Sequence, residues 1–337
     1  NLWGYTNSAT NSTSSKKQYA YAVKHKLAWD GNSSIETLFA NKHNLTSTWT
    51  YTWFANTCAM FYSPSGDDAD WKEESYPFNF GWGAGPVSPS MVQDWKEWSK
   101  QQTFLDGYTE DPRISGSIWS YKAMDPNNEG NVLGDFRLDD SEPAYTVSYR
   151  YYEQTGYFNK KYININAYNS NGVLEAFGKT LHPGISSQTS PQLLNITDLI
   201  HIRFADVLLM YAEADLMLNN GSPSDEGVEA MNRIVQRARG LNQGVAVTED
   251  DTPGFGNYDT YTLEDVLLER ARELCFERWR WYDLARTGML EHFLENRNGF
   301  STTKTSFDSD KNYLFPIPLS EIQISTNKDG MYQNPNY

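Results

Sequence analysis

Four aromatic residues in the first half of the chain are candidates for binding a ligand: Trp71, Trp82, Trp119 and Tyr121. Trp71 and Trp82 lie in loop sequence without an apolar period, and the glycines flanking Trp82 would leave its ring uncovered. Trp119 and Tyr121 alternate with polar residues. Such rings can stack on the apolar face of a sugar, so we predict a ligand site built on these four residues. The alternative is that they fill the core beneath the loops, and the sequence leaves both interpretations open.

A cluster of acidic residues surrounds Trp71 and comprises Asp67, Asp68, Asp70, Glu73 and Glu74. Carboxylate oxygens can ligate Ca²⁺, and a pair of carboxyl groups can cleave a glycosidic bond. The cluster lacks the spacing of an EF-hand loop, so a solvated loop is the favoured interpretation. The five histidines lack zinc-type spacing, and the two cysteines are isolated. We therefore predict no cofactor, with a structural Ca²⁺ as the alternative.

The overall charge of the chain argues against two classes of partner. The 337 residues include 28 basic and 43 acidic side chains, a net charge of −15, which repels nucleic acid and anionic membrane surfaces. Aromatic residues make up 15% of the chain although its mean hydropathy is −0.65. This mixture suits recognition of neutral polar ligands, with sugars the leading example. No stretch approaches the ~18 uncharged apolar residues of a transmembrane helix. We interpret the chain, which opens at Asn1 without a signal-type segment, as processed or partial.

The first regular element follows the aromatic loops. Ser88 at the N-cap and Pro89 at the first helical position predict a helix that fades near Thr103. Trp95 and Trp98 recur at helical spacing in this segment, so we assign both to the core.

Two further elements are predicted before the middle of the chain. Asp111-Pro112-Arg113 is interpreted as a turn. The segments 145–152 and 161–165 are rich in Tyr, Val and Ile, and they indicate a β-hairpin around Gly156.

The second half contains a pair of helices. The first is predicted over Ile200–Leu218, and its apolar residues on more than one face imply burial on two sides. Asn219-Asn220-Gly221 ends it, and Ser222-Pro223-Ser224-Asp225 has the capping-box pattern that begins the next helix. Two antiparallel helices with a tight turn form a unit similar to one tetratricopeptide repeat. No second copy at a period of ~34 residues is found, so the sequence does not demonstrate a repeat array.

A third helix begins at Thr262, with Asp265 at the N3 position, and is predicted to end at Gly288. Glutamates at i, i+4 and i+8 on one helix would repel each other without basic partners, so we predict internal pairing and a structural role. The charged residues of this helix are Glu269, Arg270, Arg272, Glu273, Glu277, Arg278, Arg280, Asp283 and Arg286.

Four stretches of the second half resemble one known family in order and spacing. They are the helix 202–214, the segment 232–240, the charged motif 269–286 with Arg280-Trp281-Tyr282-Asp283-Leu284 at its centre, and a terminal motif of Pro316-Ile317-Pro318, Glu321 and 333–337. This pattern resembles the SusD/RagB family of glycan-binding outer-membrane lipoproteins. The resemblance covers roughly the last 140 residues and is looser from Ser34 to Gly172. The sequence departs from the family pattern at Arg278 and Asn336, where glycine is usual.

The resemblance implies a mostly α fold of tetratricopeptide-like helical pairs, with a loop-rich lobe and a small β-hairpin. We predict that residues 1–190 form the loop-rich, aromatic-rich lobe with a short helix and the hairpin, and that this lobe carries the ligand site. Residues 191–337 would form the SusD-like C-terminal helical region. The resemblance also implies a considerably longer chain, with a lipid-bearing cysteine and several helical repeats before this region.

In function, the resemblance implies a non-enzymatic lipoprotein of the outer membrane that faces the extracellular medium. It would bind an oligosaccharide or polysaccharide and deliver it to a SusC-like TonB-dependent transporter. The resemblance also allows peptide or glycopeptide ligands. Two alternatives remain: a glycan-cleaving enzyme that uses the loop carboxylates, and a helical-repeat scaffold for protein interactions. Turnover of polysaccharide would favour the first, and failure to bind any polysaccharide would favour the second.

Overall fold

The computed structural model describes residues 36–43, 56–62, 87–102, 111–120, 157–159, 161, 167–168, 174–176, 198–238, 258–295, 307–326 and 330–337. Helices in these stretches are α1 (Cys58–Tyr62), α2 (Pro89–Lys100), α3 (Pro112–Ser117), α4 (Phe204–Leu218), α5 (Asp225–Ala238), α6 (Leu263–Glu273), α7 (Arg280–Thr287), α8 (Leu290–Glu295) and α9 (Leu319–Ile324). Strands are β1 (Thr37–Asn41), β2 (Ile118–Ser120), β3 (Tyr157–Asn159), β4 (Ala167–Tyr168), β5 (Leu174–Ala176) and β6 (Leu199–Arg203). The mostly α fold predicted from the sequence is confirmed. No helix in these stretches is long and apolar enough to cross a membrane.

The chain divides into two compact units, which we call unit 1 (residues 1–277) and unit 2 (residues 278–337). The predicted division at residue 190 stays a prediction, because residues 177–197 lie outside the described stretches.

The antiparallel pair α4–α5 is the tetratricopeptide-like unit predicted from the sequence. The turn between the helices places Asn220 and Gly221 at positive φ, 53° and 85°. Asp215 holds this turn, because its Oδ2 accepts a hydrogen bond from the backbone N–H of Ser224 (2.8 Å) and its Oδ1 accepts one from the Ser224 hydroxyl (2.7 Å). Ser224 in turn accepts from the N–H of Gly227 (3.2 Å), so the helix cap is Ser224 rather than Ser222.

The start of the first of these helices was predicted too early. Residues 199–203 form strand β6, which pairs antiparallel with β1 so that Arg203 lies opposite Thr37 and Leu199 opposite Asn41. A short apolar run is compatible with strand or helix, and here the partner strand decides the outcome. That strand lies about 160 positions earlier in the chain. The sequence pattern of residues 199–203 gives no information about so distant a partner.

The charged segment after Thr262 forms two helices instead of the single helix predicted. Thr262 and Asp265 form the predicted capping box, and Gly288 ends α7 in the left-handed conformation, φ 71°. Between α6 and α7 the backbone turns at Phe276 (φ 64°) and Arg278 (φ 76°). Two left-handed residues cannot continue an α-helix, so the segment breaks at this point.

Asp111-Pro112-Arg113 is the start of helix α3 rather than the predicted turn. Asp111 is the N-cap, and its side chain accepts a hydrogen bond from the N–H of Arg113 (2.9 Å), with Pro112 at the first helical position. Strand β2 follows α3 directly and pairs antiparallel with β3. Residues 157–159, which the sequence placed in the turn of a hairpin, are therefore a strand, because β2 supplies its partner. The predicted arms 145–152 and 162–165 lie outside the described residues, and Lys161 lies in a turn.

In unit 2 the Pro-Ile-Pro segment and the chain terminus bind each other as extended chain. Gln333 bonds both backbone groups of Ile317: its Oε1 accepts from the N–H (2.7 Å) and its Nε2 donates to the carbonyl (2.8 Å). The Tyr337 hydroxyl donates to the carbonyl of Leu314 (2.9 Å). Tyr337 thus anchors the terminus to this segment, whereas the side chain of Tyr332 is largely exposed.

Candidate functional site

The structure places only one of the four predicted ligand-site residues. Trp119 is the central residue of β2, opposite Phe158 of β3. Trp71, Trp82 and Tyr121 lie outside the described residues, so their grouping into one site stays a prediction.

An apolar cluster fixes the ends of the segments that carry these aromatic residues. Val87, Trp95 and Ile118 are buried in one cluster with Val92, Ile114 and Cys275. Trp82 precedes Val87 by five residues, which limits the distance between their Cα atoms to about 18 Å. Trp119 follows Ile118 directly. The cluster therefore ties the loop before α2 and the strand β2 to a common point.

Helix α2 contributes two buried residues to this cluster, Val92 and Trp95. Trp95 is buried, as predicted, and its indole Nε1 donates to Asp111 Oδ2 (2.9 Å). Trp98 is half-buried against the cluster, and the guanidinium of Arg272 lies 4.0 Å from its ring centroid. The two tryptophans thus bind charged side chains as well as apolar ones.

Asp111 joins this apolar cluster to a set of buried charges. Besides capping α3, its carboxylate accepts from the Arg113 guanidinium (Nη2 to Oδ2, 2.7 Å). Arg113 also reaches α6: its Nη1 donates to Glu269 Oε1 (2.6 Å) and to Glu273 Oε2 (2.9 Å). Arg272 completes this part by contacting Glu269 Oε2 (2.9 Å).

A second arginine extends the same set of charges. Arg203, at the end of β6, donates from Nη1 to Glu36 (2.8 Å) and to Glu273 (2.6 Å), and from Nε to Glu277 (2.9 Å). Lys161 donates to Glu277 Oε1 (2.7 Å) and to the Glu273 carbonyl (3.1 Å). We call the nine residues the buried charge network: Glu36, Asp111, Arg113, Lys161, Arg203, Glu269, Arg272, Glu273 and Glu277.

For two members of the network, Arg113 and Glu269, burial opposes the charged form but the partners outweigh it. Burial opposes the charge on Arg113, yet Asp111, Glu269 and Glu273 outweigh it and raise the pKa of Arg113 well above its ordinary value. For Glu269 burial favours the neutral acid, but Arg113 and Arg272 together lower its pKa. A carboxylate held in this way is a poor general acid near neutral pH, so we assign the network a structural role.

The internal pairing predicted for the charged segment is confirmed for Glu269 and Arg272. It is wrong for Glu273 and Glu277, whose basic partners come from other parts of the chain: Arg113, Arg203 and Lys161. Arg270 pairs separately with Asp206 of α4, Nη1 to Oδ1 at 2.7 Å. The C-terminal part of the segment differs, because it lies in unit 2: Arg280 packs over the ring of Phe293, 4.4 Å from its centroid, and Asp283 accepts from Arg286 (2.9 Å).

The sequence interpretation missed five members of the network: Glu36, Asp111, Arg113, Lys161 and Arg203. Glu36 and Lys161 approach their partners only through the tertiary fold, since Glu36 lies 167 positions before Arg203 and Lys161 lies 116 positions before Glu277. Asp111 could have been found, because aspartate followed by proline is an N-cap and first-turn signal as well as a turn signal.

No metal site is evident in the part of the chain that the structure describes: no group of three or more His, Cys, Asp or Glu side chains there is placed to hold an ion. The acidic residues between 67 and 74 lie outside that part, so the Ca²⁺ alternative is not tested.

Comparison with known proteins defines the class of this fold and site. The family model described as the SusD family matches residues 36–337. The chain therefore belongs to the SusD family.

Two relatives share the sequence over part of its length. A SusD-like protein P2 of Formosa agariphila is 34% identical over 141 residues, which are 42% of this chain and 26% of the relative. A SusD-like protein of Bacteroides ovatus is 22% identical over 223 residues, 64% of this chain and 37% of the relative. The chain thus spans well under half the length of these relatives.

Solved structures share the fold along nearly the whole chain. A laminarin-binding SusD-like protein aligns with a TM-score of 0.56 at 21% identity, covering 96% of this chain and 53% of that one. Surface glycan-binding protein A from Bacteroides thetaiotaomicron, in complex with laminarihexaose, aligns with a TM-score of 0.55 at 21% identity, covering 94% and 55%. At this identity the likeness establishes the fold.

Proposed function

We propose that this protein binds a glycan at the cell surface without cleaving it and passes it to a SusC-like TonB-dependent transporter in the outer membrane. The observation that carries the proposal is the shared fold. Over 94% of its length the chain aligns with a surface glycan-binding protein that was solved in complex with laminarihexaose. The anchor to the outer membrane would be a lipid on a part of the protein that precedes this region.

We further propose that the glycan stacks on Trp71, Trp82, Trp119 and Tyr121. The support is the common tether described above, which limits how far Trp82 and Trp119 can move from one apolar cluster. A sugar face on an indole removes apolar area from water, worth on the order of 1–2 kcal/mol per ring. Two or three rings with hydrogen bonds would give dissociation constants of roughly micromolar to millimolar. Such affinity suits a protein that must release its ligand to a transporter.

The proposal of binding without cleavage is supported by the ion pairs of buried carboxylates. Those of the buried charge network are bound to arginine or lysine, whereas glycoside hydrolysis needs one carboxyl group that stays protonated near neutral pH. Chromatography after incubation with a polysaccharide panel tests this directly. Products that disappear in a variant of Asp67, Asp68, Asp70, Glu73 or Glu74 would establish the enzyme alternative.

Affinity electrophoresis in gels that contain laminarin, hydroxyethylcellulose, xylan or mannan tests the binding itself. We expect retardation by at least one of these neutral polysaccharides, unchanged by EDTA because we propose no cofactor. Retardation by none would contradict the proposal and favour the helical-repeat scaffold. Delivery to a transporter is tested by co-purification with the TonB-dependent protein of the same membrane, using the full-length lipoprotein.

A further inference from the structure

Unit 2 presents a pair of aromatic rings to solvent. Trp281 lies in α7 and Phe315 lies in the extended segment before α9, and their ring centroids are 6.3 Å apart with the ring planes inclined by 39°. Trp281 is 41% exposed and Phe315 is 75% exposed. Rings that contact each other and remain exposed form a ready apolar surface of the kind that marks a binding site.

The backbone that carries Phe315 is held on both sides of the residue. The side-chain amide of Asn334 donates to the Phe315 carbonyl (2.5 Å), and the Tyr337 hydroxyl bonds the preceding carbonyl of Leu314. Two residues further on, Gln333 bonds both backbone groups of Ile317. The ring is thus presented from a fixed segment, which lowers the conformational entropy that a ligand would have to remove on binding.

Trp281 and the next residue along the chain, Tyr282, both carry uncharged hydrogen-bond donors. Within the described residues, the indole N–H of Trp281 and the hydroxyl of the neighbouring Tyr282 have no hydrogen-bond partner. Both groups can donate to hydroxyl oxygens without carrying charge. Apolar rings flanked by uncharged donors match the alternation of C–H faces and hydroxyls on a sugar.

The charge of unit 2 differs from that of the rest of the chain. Residues 278–337 contain seven basic and seven acidic residues, whereas residues 1–277 contain 21 basic and 36 acidic ones. The ring pair therefore lies in the part of a strongly acidic protein whose basic and acidic residues balance. An anionic ligand would gain nothing from this unit and would be repelled by the chain as a whole.

From these observations we propose that Trp281 and Phe315 form a second glycan platform, separate from the predicted loop site, which binds a neutral glucan chain with a helical twist. The proposal deepens, and rests on, the proposed glycan binding. Each sugar stacks best when its face is parallel to the ring beneath it. Because the two rings are inclined by 39°, successive sugars must turn relative to each other to contact both. A flat β-1,4-linked ribbon would contact one ring, and a helical β-1,3-linked chain can contact both.

The experiment uses affinity electrophoresis of the full chain in laminarin gels and in hydroxyethylcellulose gels. Three substitutions, Phe315→Ala, Trp281→Ala and Ile324→Ala, are introduced singly into the parent and into a Trp71→Ala/Trp82→Ala background. The parent and the background protein without a further substitution are the references. Ile324 is the matched control, because it is an apolar residue of unit 2 with similar exposure to Phe315 but no ring. Phe315 is so exposed that its replacement should not disturb folding, and circular dichroism checks each variant.

We expect the background protein to retain laminarin binding. Its affinity for laminarin should fall about 5-fold to 30-fold when Phe315→Ala or Trp281→Ala is added. Ile324→Ala should change nothing, and hydroxyethylcellulose should be bound more weakly than laminarin. Laminarin retardation that is unaffected by both ring variants, or lost equally in Ile324→Ala, would overturn the platform while leaving glycan binding at the loops intact. A parent chain that no glycan retards would overturn both proposals.

Discussion

Arg113 and Glu269 lie 156 positions apart in the chain, yet a hydrogen bond of 2.6 Å joins Arg113 Nη1 to Glu269 Oε1, and both side chains are buried. This bond connects α3, which leads directly into the strand of Trp119, to the long charged helix α6. The position of strand β2, which carries Trp119, therefore depends on ion pairs with residues more than 150 positions later in the sequence.

Removal of Arg113 should destabilise the protein strongly. Arg113→Ala removes the arginine that pairs with the buried carboxylates of Asp111, Glu269 and Glu273. Breaking such a buried pair costs ~3–5 kcal/mol. Lys100→Ala is the matched control, since its partner Glu97 and Lys100 itself are both exposed, and such pairs contribute ~0–1 kcal/mol. Urea unfolding of both variants measures the difference. Equal costs would show that the buried network does not support the fold.

Arg280→Ala should cost less than Arg113→Ala, because Arg280 stacks on Phe293 outside the buried charge network. A half-buried cation on an aromatic ring contributes ~0.5–2 kcal/mol. Thermal unfolding of the two variants side by side checks the order. The reverse order would show that Arg280 contributes more to stability than its contact with Phe293 accounts for.

Glu269 should make stability depend on pH in the acidic range. Its pKa in the folded protein lies below the ordinary value of 4.5, so its stabilising contribution is fully present above pH 4.5 and is lost as the pH falls through the folded pKa. Glu269→Gln should lower the free energy of unfolding at neutral pH. Below pH 4.5 the free energy of unfolding should also fall less steeply with pH in the variant than in the parent. The difference in slope should correspond to at most about one bound proton. Parallel slopes for the parent and the variant would contradict this sign.

Gly227 is required by a close contact between α5 and its surroundings. A Cβ atom at this position would overlap Asp215 Oδ2 and the Tyr261 hydroxyl, two atoms that are hydrogen-bonded at 3.2 Å. Gly227→Ala should therefore cost ~1–3 kcal/mol through overpacking. In the double variant with Tyr261→Phe one overlapping atom is absent, so the combined cost should be smaller than the sum of the single costs. Strict additivity in chemical denaturation would argue against the contact.

Arg278 and Asn336 are the two positions where the sequence departs from glycines of the family pattern, and both have left-handed backbones, with φ of 76° and 64°. At Arg278 glycine should therefore be better tolerated than alanine, by ~1–2 kcal/mol, because alanine has a Cβ that disfavours this region. Arg286, an exposed arginine within α7, is the control with the opposite sign. At Arg286 the alanine variant should be more stable than the glycine variant by ~1 kcal/mol in the free energy of unfolding. The same order of stability at both positions would contradict the assigned backbone.

Local sequence signals predicted those parts of the fold that are decided locally. The Thr262–Asp265 capping box, the Ser88-Pro89 helix start and the left-handed Gly288 depend on a few neighbouring residues, and all three occur in the structure. The strand 199–203 and the network contacts of Glu36 and Lys161 depend on partners more than a hundred positions away. Their own sequences carry no trace of those partners, so the prediction failed at 199–203 and omitted the contacts.

The site was predicted to a smaller extent than the fold for the same reason. The aromatic composition and the loop context of Trp71 and Trp82 indicate a ligand-binding surface, but the order of the rings in space depends on segments between distant anchors. Val87 and Ile118 provide two such anchors in one cluster.

Titration of an oligosaccharide into the parent and into Trp82→Ala tests the central claim most directly. Isothermal titration with laminarihexaose, or with the oligosaccharide of whichever polysaccharide retards the parent in gels, gives the affinity of each. The account predicts a parent dissociation constant of roughly micromolar to millimolar and a ~5- to 30-fold weaker Trp82→Ala, with Trp71→Ala weakened similarly and both variants unfolding like the parent. Ile234→Val, a change in the buried core of the α4–α5 pair, should leave the affinity unchanged. Two folded tryptophan variants that bind as tightly as the parent would contradict the claim that these loops hold the glycan.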